Sequence, residues 1–173
     1  MTDLYVSWSE YSQKIEQLAC QVRDSGWGFN QVICIAKGGL RIGDIFCRLF
    51  DLPLAILSVE SYAGENRTSR GSIIFSRDLA KTTPNLDSHV LLLDDLVDSG
   101  ITLKKSVDWL KHYYGFYIEE IRTAVLWYKA ASTFRPDYYV EYLEDSPWIH
   151  QPFEEYERMD VKDLVPRFLA REA

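Results

Sequence analysis

The spacing of apolar residues predicts an amphipathic helix near the start of the chain. Four apolar side chains follow one another at intervals of four, three and four residues: Tyr11, Ile15, Leu18 and Val22. That spacing places them on one face of an α-helix. Ahead of them stand Ser7 and Glu10, in the order of a capping box, where the two side chains accept hydrogen bonds from each other's backbone N–H groups. We therefore expect an amphipathic helix to open the fold.

Strands and helices then alternate along the chain. Four apolar runs have the length of buried strands, at 32–36, 54–59, 90–93 and 121–127. Helical spacing returns twice, at Ile42, Ile45, Phe46 and Leu49 and at Leu103, Val107, Leu110 and Tyr114. Parallel strands that are covered on both faces are continuously apolar, and they need crossover helices to connect them. The pattern predicts an α/β fold with a central, mostly parallel sheet flanked by helices.

Two segments depart from this alternation. The stretch 61–87 is rich in glycine, serine, threonine, asparagine and charge, and loops of that length in compact domains are typically binding loops or lids. Within it, 73–75 are expected to add an edge strand. At the other end, apolar residues at helical spacing predict an extra C-terminal helix over 160–173, docked or at an interface. No linker or repeat is visible, so 1–173 is expected to be a single domain.

Composition narrows the function classes. The chain has 173 residues, 47% of them hydrophobic and 26% charged, which is typical of a globular domain. Its net charge of -7 argues against nucleic-acid binding, because neutralising phosphate backbones needs surplus lysine and arginine. The three cysteines show neither the number nor the spacing of a disulfide framework or a zinc site. With no signal-peptide pattern and no membrane-spanning apolar stretch, we expect a cytoplasmic protein.

The segment 90–102 indicates a ligand site. An apolar strand ends at two carboxylates, Asp94 and Asp95, and a third, Asp98, precedes the turn 99–102. Ligands of open α/β sheets bind at the carboxyl ends of strands. The turn offers two hydroxyls, a glycine and the N–H groups of a helix N-terminus, which suit a phosphate group, and the carboxylate oxygens would favour magnesium. Each feature alone also fits an ordinary strand end, cap or turn. Three carboxylates so close, however, repel one another unless a cation or a cationic ligand binds between them.

The same segment resembles the phosphoribosyl-pyrophosphate motif of type I phosphoribosyltransferases. In that motif an apolar run leads to two acidic residues, two apolar residues, Asp, Ser or Thr, Gly, any residue and Thr. Further segments follow the order of the family's 6-oxopurine branch, which includes the bacterial xanthine-guanine and the hypoxanthine-guanine enzymes. They are Tyr5 to Trp8, Lys37 to Leu40, Ser61 with Tyr62, Lys129, and Trp148 to Glu154.

The resemblance implies a type I phosphoribosyltransferase-like fold with a flexible lid loop and a small hood. It implies an enzyme of purine salvage that transfers the 5-phosphoribosyl group from phosphoribosyl pyrophosphate to guanine, xanthine or hypoxanthine, with Mg²⁺. For the sugar donor it implies these roles: Ser99, Gly100, Ile101 and Thr102 hold the 5′-phosphate, Asp94 and Asp95 hold the ribose hydroxyls and the metal, Lys37, Gly38 and Gly39 form the pyrophosphate loop, and Ser61 and Tyr62 lie on the lid. Locally, Lys37 to Gly39 equally fits a plain strand-to-helix connection, and Ser61 with Tyr62 a surface loop.

For the base, the resemblance implies a second set of roles. Asp98 would be the general base that takes the proton from N7 as N9 attacks the sugar. Lys129 would donate to O6 of a 6-oxopurine, whereas the amino group of adenine would meet it unfavourably. Trp148 would stack on the base, although a core tryptophan is the ordinary alternative. Main-chain groups of Ile149 would read the base edge, and Glu154 would approach a second metal ion or the pyrophosphate.

The sequence departs from the family pattern in three places. Lys37 replaces the arginine common in the bacterial xanthine-guanine enzymes and matches the hypoxanthine-guanine relatives. Ser99 with Gly100 and Ile101 replaces the commoner Thr-Gly-Gly, and Glu154 replaces an aspartate. Lys37 leaves the preferred base open. Because the motif describes only the donor, a transferase for another base stays an alternative, as does a non-catalytic regulator that binds phosphoribosyl pyrophosphate on this fold. The family commonly forms dimers or tetramers, so a homodimer or homotetramer is expected.

Overall fold

A computed structural model of the chain describes residues 3–61 and 73–166. The described residues form three α-helices, α1 (Trp8–Asp24), α2 (Leu40–Phe50) and α3 (Ile101–Tyr114). Their strands are β1 (Leu4–Tyr5), β2 (Gln31–Ala36), β3 (Leu54–Ser61), β4 (Ile73–Phe75), β5 (Ala80–Lys81), β6 (His89–Leu93), β7 (Leu96–Val97), β8 (Glu120–Lys129), β9 (Tyr138–Leu143) and β10 (Ile149–His150). They belong to two compact units, a large one of residues 14–146 and a small one of residues 1–13 and 147–173.

The large unit is built on one sheet. Its strands follow the order β4-β3-β2-β6-β8, and both β7 and β9 pair with β8. The pairs among β2, β3, β6, β7, β8 and β9 are parallel, whereas β4 and β5 pair antiparallel with β3. The mostly parallel sheet predicted from the sequence is therefore confirmed, and so is the edge strand at 73–75.

The core of this unit lies along the central strands. Ile33 of β2, Leu92 of β6 and Val125 of β8 are fully buried in one apolar cluster. Consecutive residues of β6, from Val90 to Leu93, are also fully buried, as expected for parallel strands covered on both faces. Each such side chain contributes roughly 1.5–3 kcal/mol when it leaves water.

The predicted capping box is present at the start of α1. The backbone N–H of Glu10 donates to Ser7 Oγ at 3.2 Å, and that of Ser7 donates to Glu10 Oε2 at 2.8 Å. The four apolar residues predicted to share one helix face are all buried: Tyr11, Ile15, Leu18 and Val22.

The helix predicted from the spacing of Ile42, Ile45, Phe46 and Leu49 is α2, in which Ile42 and Phe46 are buried and Leu49 is not. That side chain is 59% exposed and lines a surface groove with Cys20 and Arg23 of α1.

The strand β6 continues as β7 after a short interruption. Leu93 pairs with Ala124 of β8, and Leu96 pairs with Trp127 of the same strand. Two residues therefore lie between the paired positions on each strand, and the register does not shift. The carbonyl of Asp95 accepts from the N–H of Leu126 at 2.9 Å within the interruption. The sequence predicts only a loop after Leu93, because two strand residues are too few for a periodic pattern.

In the small unit, β1 near the start of the chain pairs with β10. Leu4 of β1 lies opposite Ile149 of β10 in a parallel ladder, and Tyr5 stacks on His150 with ring centroids 4.3 Å apart. Phe153 packs edge-on against Tyr11 at 5.7 Å. The sequence does not predict these two short strands.

The C-terminal segment is partly described. A 3₁₀ turn over Val161–Leu164 begins with a capping box at Asp160, and Val161 is 79% exposed. Residues 167–173 lie outside the described part of the chain, so the helix expected over 160–173 stays a prediction, as does the single domain. Among the helices of residues 3–61 and 73–166, we find none with the length and apolarity needed to span a membrane.

Candidate active site

Two adjacent carboxylates end β6 at the carboxyl edge of the sheet. Asp94 is buried, and its Oδ1 accepts from the N–H of Asp95 at 3.0 Å. Asp95 Oδ1 in turn accepts from the N–H of Leu96 at 2.8 Å. Burial and, after it, the neighbouring Asp95 carboxylate raise the pKa of Asp94 well above its ordinary value. The edge thus concentrates negative charge that a cation would neutralise.

The loop after β2 lies directly beside these carboxylates. Lys37 is exposed, and Gly38 follows it. A Cβ added at Gly38 would overlap the Asp95 carboxylate, so a larger residue would displace that carboxylate. β2 and β6 are neighbours in the sheet, which is why segments far apart in sequence meet here. The structure therefore brings two of the predicted donor-binding segments together.

The turn after β7 has the form of a phosphate site. Gly100 is in the left-handed region with φ 80° and precedes the first residue of α3. That helix has no side-chain cap at Gly100, although the N–H of Ile101 approaches Ser99 Oγ at 3.4 Å. A cavity of about 170 Å³ lies beside the turn and is lined by residues that include Asp98, Ser99 and Thr102. Helix N-termini bind anions because their first N–H groups lack intrahelical partners.

Lys129 and Asp98 form an ion pair across the edge of the sheet. Lys129 is the last residue of β8, and its Nζ lies 3.2 Å from Asp98 Oδ1. The Lys129 side chain is 7% exposed and that of Asp98 is 63% exposed. A buried ammonium beside an accessible carboxylate offers a donor and a proton acceptor next to each other. The sequence singles out both residues, but it does not predict that they contact each other.

The remaining predicted residues are distributed as follows. Trp148, Ile149 and Glu154 lie in the small unit. Trp148 is 60% exposed, which is inconsistent with a core tryptophan, whereas Ile149 is buried in its β10 pairing. Ser61 is the last residue of β3, and Tyr62 lies outside the described residues.

The carboxylate of Glu154 has a neighbour that sequence reasoning missed. Its Oε2 lies 3.9 Å from His150 Nδ1, and His150 Nε2 also lies 2.9 Å from Asp3 Oδ2. Within the described ranges, no group of three His, Cys, Asp or Glu side chains has the arrangement of a complete protein-made metal site.

Comparison with known proteins gives one family and several relatives. A family model described as a phosphoribosyl transferase domain matches residues 5–158. A hypoxanthine-guanine phosphoribosyltransferase of Dictyostelium discoideum is 32% identical over 110 residues, which are 60% of this chain and 59% of that protein. A xanthine-guanine phosphoribosyltransferase of Gluconobacter oxydans is 30% identical over 104 residues, or 57% of this chain and 58% of that protein. The aligned part thus spans just under three-fifths of these two relatives.

Solved structures share the fold over more of the chain. A purine phosphoribosyltransferase from Pyrococcus horikoshii superposes with a TM-score of 0.72 at 26% identity, covering 88% of this chain and 94% of that one. The xanthine-guanine-hypoxanthine phosphoribosyltransferase of Helicobacter pylori gives a TM-score of 0.74 at 18% identity, covering 94% and 99%. At this identity the second likeness concerns the fold alone. The fold class predicted from the sequence is confirmed.

Proposed function

Because the chain belongs to the phosphoribosyl transferase domain family, we propose that it transfers the 5-phosphoribosyl group from phosphoribosyl pyrophosphate to a 6-oxopurine base. The products are the nucleoside monophosphate and pyrophosphate, which is the chemistry of purine salvage. The observation that carries the proposal is the pair of Lys129 and Asp98, 3.2 Å apart beside the phosphate turn. The names of two relatives agree with guanine, xanthine or hypoxanthine as the acceptor.

The ion pair suits one edge of a 6-oxopurine. O6 and N7 lie side by side on that edge, so a donor to O6 and an acceptor for the N7 proton must themselves be neighbours. Lys129 is an obligate donor, and burial strengthens its hydrogen bonds. The amino group of adenine would turn a donor toward this ammonium. Trp148, whose ring is exposed, is proposed to stack on the base, and the main chain of Ile149 to read its edge.

The turn 99–102 is proposed to hold the 5′-phosphate. Its glycine permits close backbone approach, and the hydroxyls of Ser99 and Thr102 flank the N-terminus of α3. Lys37, with Gly38 and Gly39, is proposed to bind the pyrophosphate at the neighbouring strand end. That arrangement would extend the donor along the carboxyl edge, with Asp94 and Asp95 beside the ribose between its two phosphate sites.

The donor set at this edge fits Mg²⁺. Asp94 and Asp95 offer hard carboxylate oxygens. Burial and, after it, repulsion from Asp95 raise the pKa of Asp94, and a cation would relieve that repulsion. Asp95 would hold the ion, with oxygen atoms of the substrate completing its coordination, and Glu154 is proposed to approach a second metal ion or the pyrophosphate. Bound there, Mg²⁺ supplies positive charge against the departing pyrophosphate.

The chain's own residues then carry the reaction in three ways. Departure of pyrophosphate leaves positive character at C1 of the sugar, and Lys37 balances the negative charge that develops on the leaving group. Asp98 accepts the N7 proton as N9 forms the new bond to C1. Ser61 and Tyr62 are proposed to belong to a lid that excludes water, which would otherwise hydrolyse the activated sugar.

The test is pyrophosphate release from phosphoribosyl pyrophosphate and Mg²⁺, with guanine, xanthine, hypoxanthine, adenine, uracil and orotate offered separately. We expect release with one or more of the 6-oxopurines and far slower release with adenine, because of Lys129. Release with uracil or orotate alone would overturn the purine assignment. Donor binding without release for any base would favour a regulator on the same fold.

The proposal also covers the oligomeric state, the location and the partners of the protein. We infer a homodimer or homotetramer that acts in the cytoplasm on phosphoribosyl pyrophosphate and a purine base, without a nucleic-acid partner. The net charge of -7 supports the last point. Light scattering in solution would measure the subunit number.

A further inference from the structure

The loop that follows β8 packs against the phosphate turn. Thr133 makes the central contact, because two of its groups meet the same atom. Its N–H donates to the Ser99 carbonyl at 3.1 Å, and its Oγ1 donates to that carbonyl at 3.1 Å as well. Next to this contact, a Cβ added at Gly100 would overlap Ser132 Oγ. The loop and the turn are therefore in direct contact at consecutive residues.

The loop has internal hydrogen bonds that hold Thr133 in position. Ser132 N–H donates to the Lys129 carbonyl at 3.0 Å. Ser132 Oγ donates to the Phe134 carbonyl at 2.8 Å and accepts from the Phe134 N–H at 3.1 Å. Thr133 lies between these bonded residues, so its hydroxyl is presented by a braced turn. The same turn begins at Lys129, the residue paired with Asp98.

Holding the Ser99 carbonyl fixes the direction of a neighbouring donor. In a trans peptide the C=O and the N–H point to opposite sides of one rigid plane. Because Thr133 binds the carbonyl of the Ser99–Gly100 peptide, the N–H of Gly100 is directed away from Thr133. The cavity beside the turn is lined by Ser99, Gly100 and Thr102. A peptide free to rotate would lose that direction at the residue where φ is 80°.

The geometry points to Thr133 as a positioning residue for the phosphate turn, acting on the 5′-phosphate of the donor through the Ser99–Gly100 peptide. The inference rests on the proposed function, since that function names the phosphate as the ligand of the turn. Thr133 does not itself contact the reacting atoms. Its role is to keep the backbone donors of the turn oriented before the ligand arrives.

Two substitutions separate the hydroxyl from the shape of the side chain. Thr133→Val removes the Oγ1 donor and keeps the backbone N–H and the volume, whereas Thr133→Ser keeps the donor. We expect Thr133→Val to weaken the binding of ribose 5-phosphate by about 2- to 10-fold, the effect of one hydrogen bond. Inorganic pyrophosphate, which is proposed to bind at Lys37, should bind unchanged. Thr133→Ser should restore ribose 5-phosphate affinity. Titration calorimetry measures each ligand separately.

Ser25→Ala is the matched control. Ser25 Oγ donates to the Val22 carbonyl at 2.7 Å in the same unit, so this variant also loses a hydroxyl-to-carbonyl bond. It should leave both affinities unchanged. Equal weakening of both ligands by Thr133→Val, or no weakening of either, would overturn the positioning role and leave Thr133 a structural residue.

Selective loss of ribose 5-phosphate binding in Thr133→Val supports the positioning role even where no base yields a nucleotide, because binding needs no turnover. In an active enzyme the same variant should raise the KM for phosphoribosyl pyrophosphate and leave the KM for the base unchanged. A wild-type chain that binds no ribose 5-phosphate would overturn the inference directly.

Discussion

Carboxylates at the two edges of the central sheet have pKa values shifted in opposite directions. At the amino edge, Glu120 accepts from Arg122 Nε at 2.7 Å and from Trp27 Nε1 at 2.9 Å. The Arg122 guanidinium also lies 4.6 Å from the centre of the Trp27 ring. These hydrogen bonds, that of Arg122 first, lower the pKa of Glu120. At the carboxyl edge, burial beside Asp95 raises the pKa of Asp94 instead.

The difference separates residues that stabilise the fold from residues that bind a ligand. At the amino edge the charged groups satisfy one another within the chain. At the carboxyl edge, Asp94 and Asp95 lie side by side. Burial and the neighbouring carboxylate make the charged form of Asp94 unfavourable. Sites of function commonly carry such unfavourable charge, and the fold tolerates it because a ligand or cation completes the arrangement.

The largest expected effect comes from removing the proposed proton acceptor at the carboxyl edge. Asp98→Asn keeps the shape of the side chain but cannot accept the N7 proton, so we expect kcat to fall by about 10²- to 10⁴-fold. Affinity for phosphoribosyl pyrophosphate should change little. Steady-state kinetics of pyrophosphate release measures both quantities.

The control for this variant is Glu120→Gln, the corresponding change at the amino edge. It should leave kcat unchanged, because the hydrogen bonds of Glu120 with Arg122 and Trp27 stabilise the fold at the edge opposite the proposed site. If Asp98→Asn reduced kcat no more than Glu120→Gln does, Asp98 would not be the general base.

A smaller effect is expected when the base-reading cation is removed. Lys129→Met keeps the length of the side chain and loses the donor, so kcat/KM for 6-oxopurines should fall by about 10- to 100-fold, as for hydrogen bonds to charged groups. Adenine, which gains nothing from this donor, should be affected far less. The ratio of kcat/KM between hypoxanthine and adenine is the readout.

Lys14→Met is the matched control for that experiment. Lys14 Nζ pairs with Glu141 Oε2 at 2.6 Å in the same unit, and Lys14 is not among the residues proposed to bind the base. It should leave the ratio between hypoxanthine and adenine intact. An unchanged ratio in Lys129→Met as well would remove Lys129 from base recognition.

The smallest expected effect concerns stability and has the opposite sign at the two edges. The pKa of Asp94 is raised in the folded protein. Its contribution to stability is therefore fully present at pH values below its pKa in the unfolded state, near 3.9, and is lost as the pH rises through the folded pKa. Asp94→Asn should therefore raise the Tm of the ligand-free protein at neutral pH by about 2–4 °C, the change that accompanies about 1 kcal/mol in a chain of this size. The gain should vanish toward pH 3.

Glu120→Gln should behave in the reverse way. The pKa of Glu120 is lowered in the folded protein. Its contribution to stability is therefore present at pH values above its pKa in the unfolded state, near 4.3, and is lost as the pH falls through the folded pKa. We expect this variant to lower the Tm at neutral pH and to match the wild type in acid. Thermal scans in magnesium-free buffer between pH 3 and 8 would measure both variants, and the same sign for both would contradict the contrast between the edges.

Sequence reasoning succeeded where a signal is local. The apolar runs of β2, β6 and β8 are continuous because both faces of those strands are covered, so length and composition were enough. Edge strand β9 was missed because its residues are only partly buried. An alternating or mixed segment of that kind resembles an ordinary loop when no partner strand is known.

The candidate site was predicted residue by residue but not contact by contact. Asp98 and Lys129 were each named from the sequence, yet their ion pair joins two different strand ends. Thr133 was not named at all, because a threonine in a polar loop carries no signal until its partner, Ser99, is known. Tertiary contacts of this kind depend on sheet order, which spacing along the chain does not determine.

The constant register of β6 and β7 against β8 restricts insertions and deletions in this segment of the chain. Since both segments pair with β8 in one frame, the number of residues from Leu93 to Leu96 sets the distance between the carboxylates and the phosphate turn. Inserting or deleting one residue would turn the following side chains to the opposite face of the sheet. Evolution and engineering can therefore exchange side chains in this segment while its length stays constant.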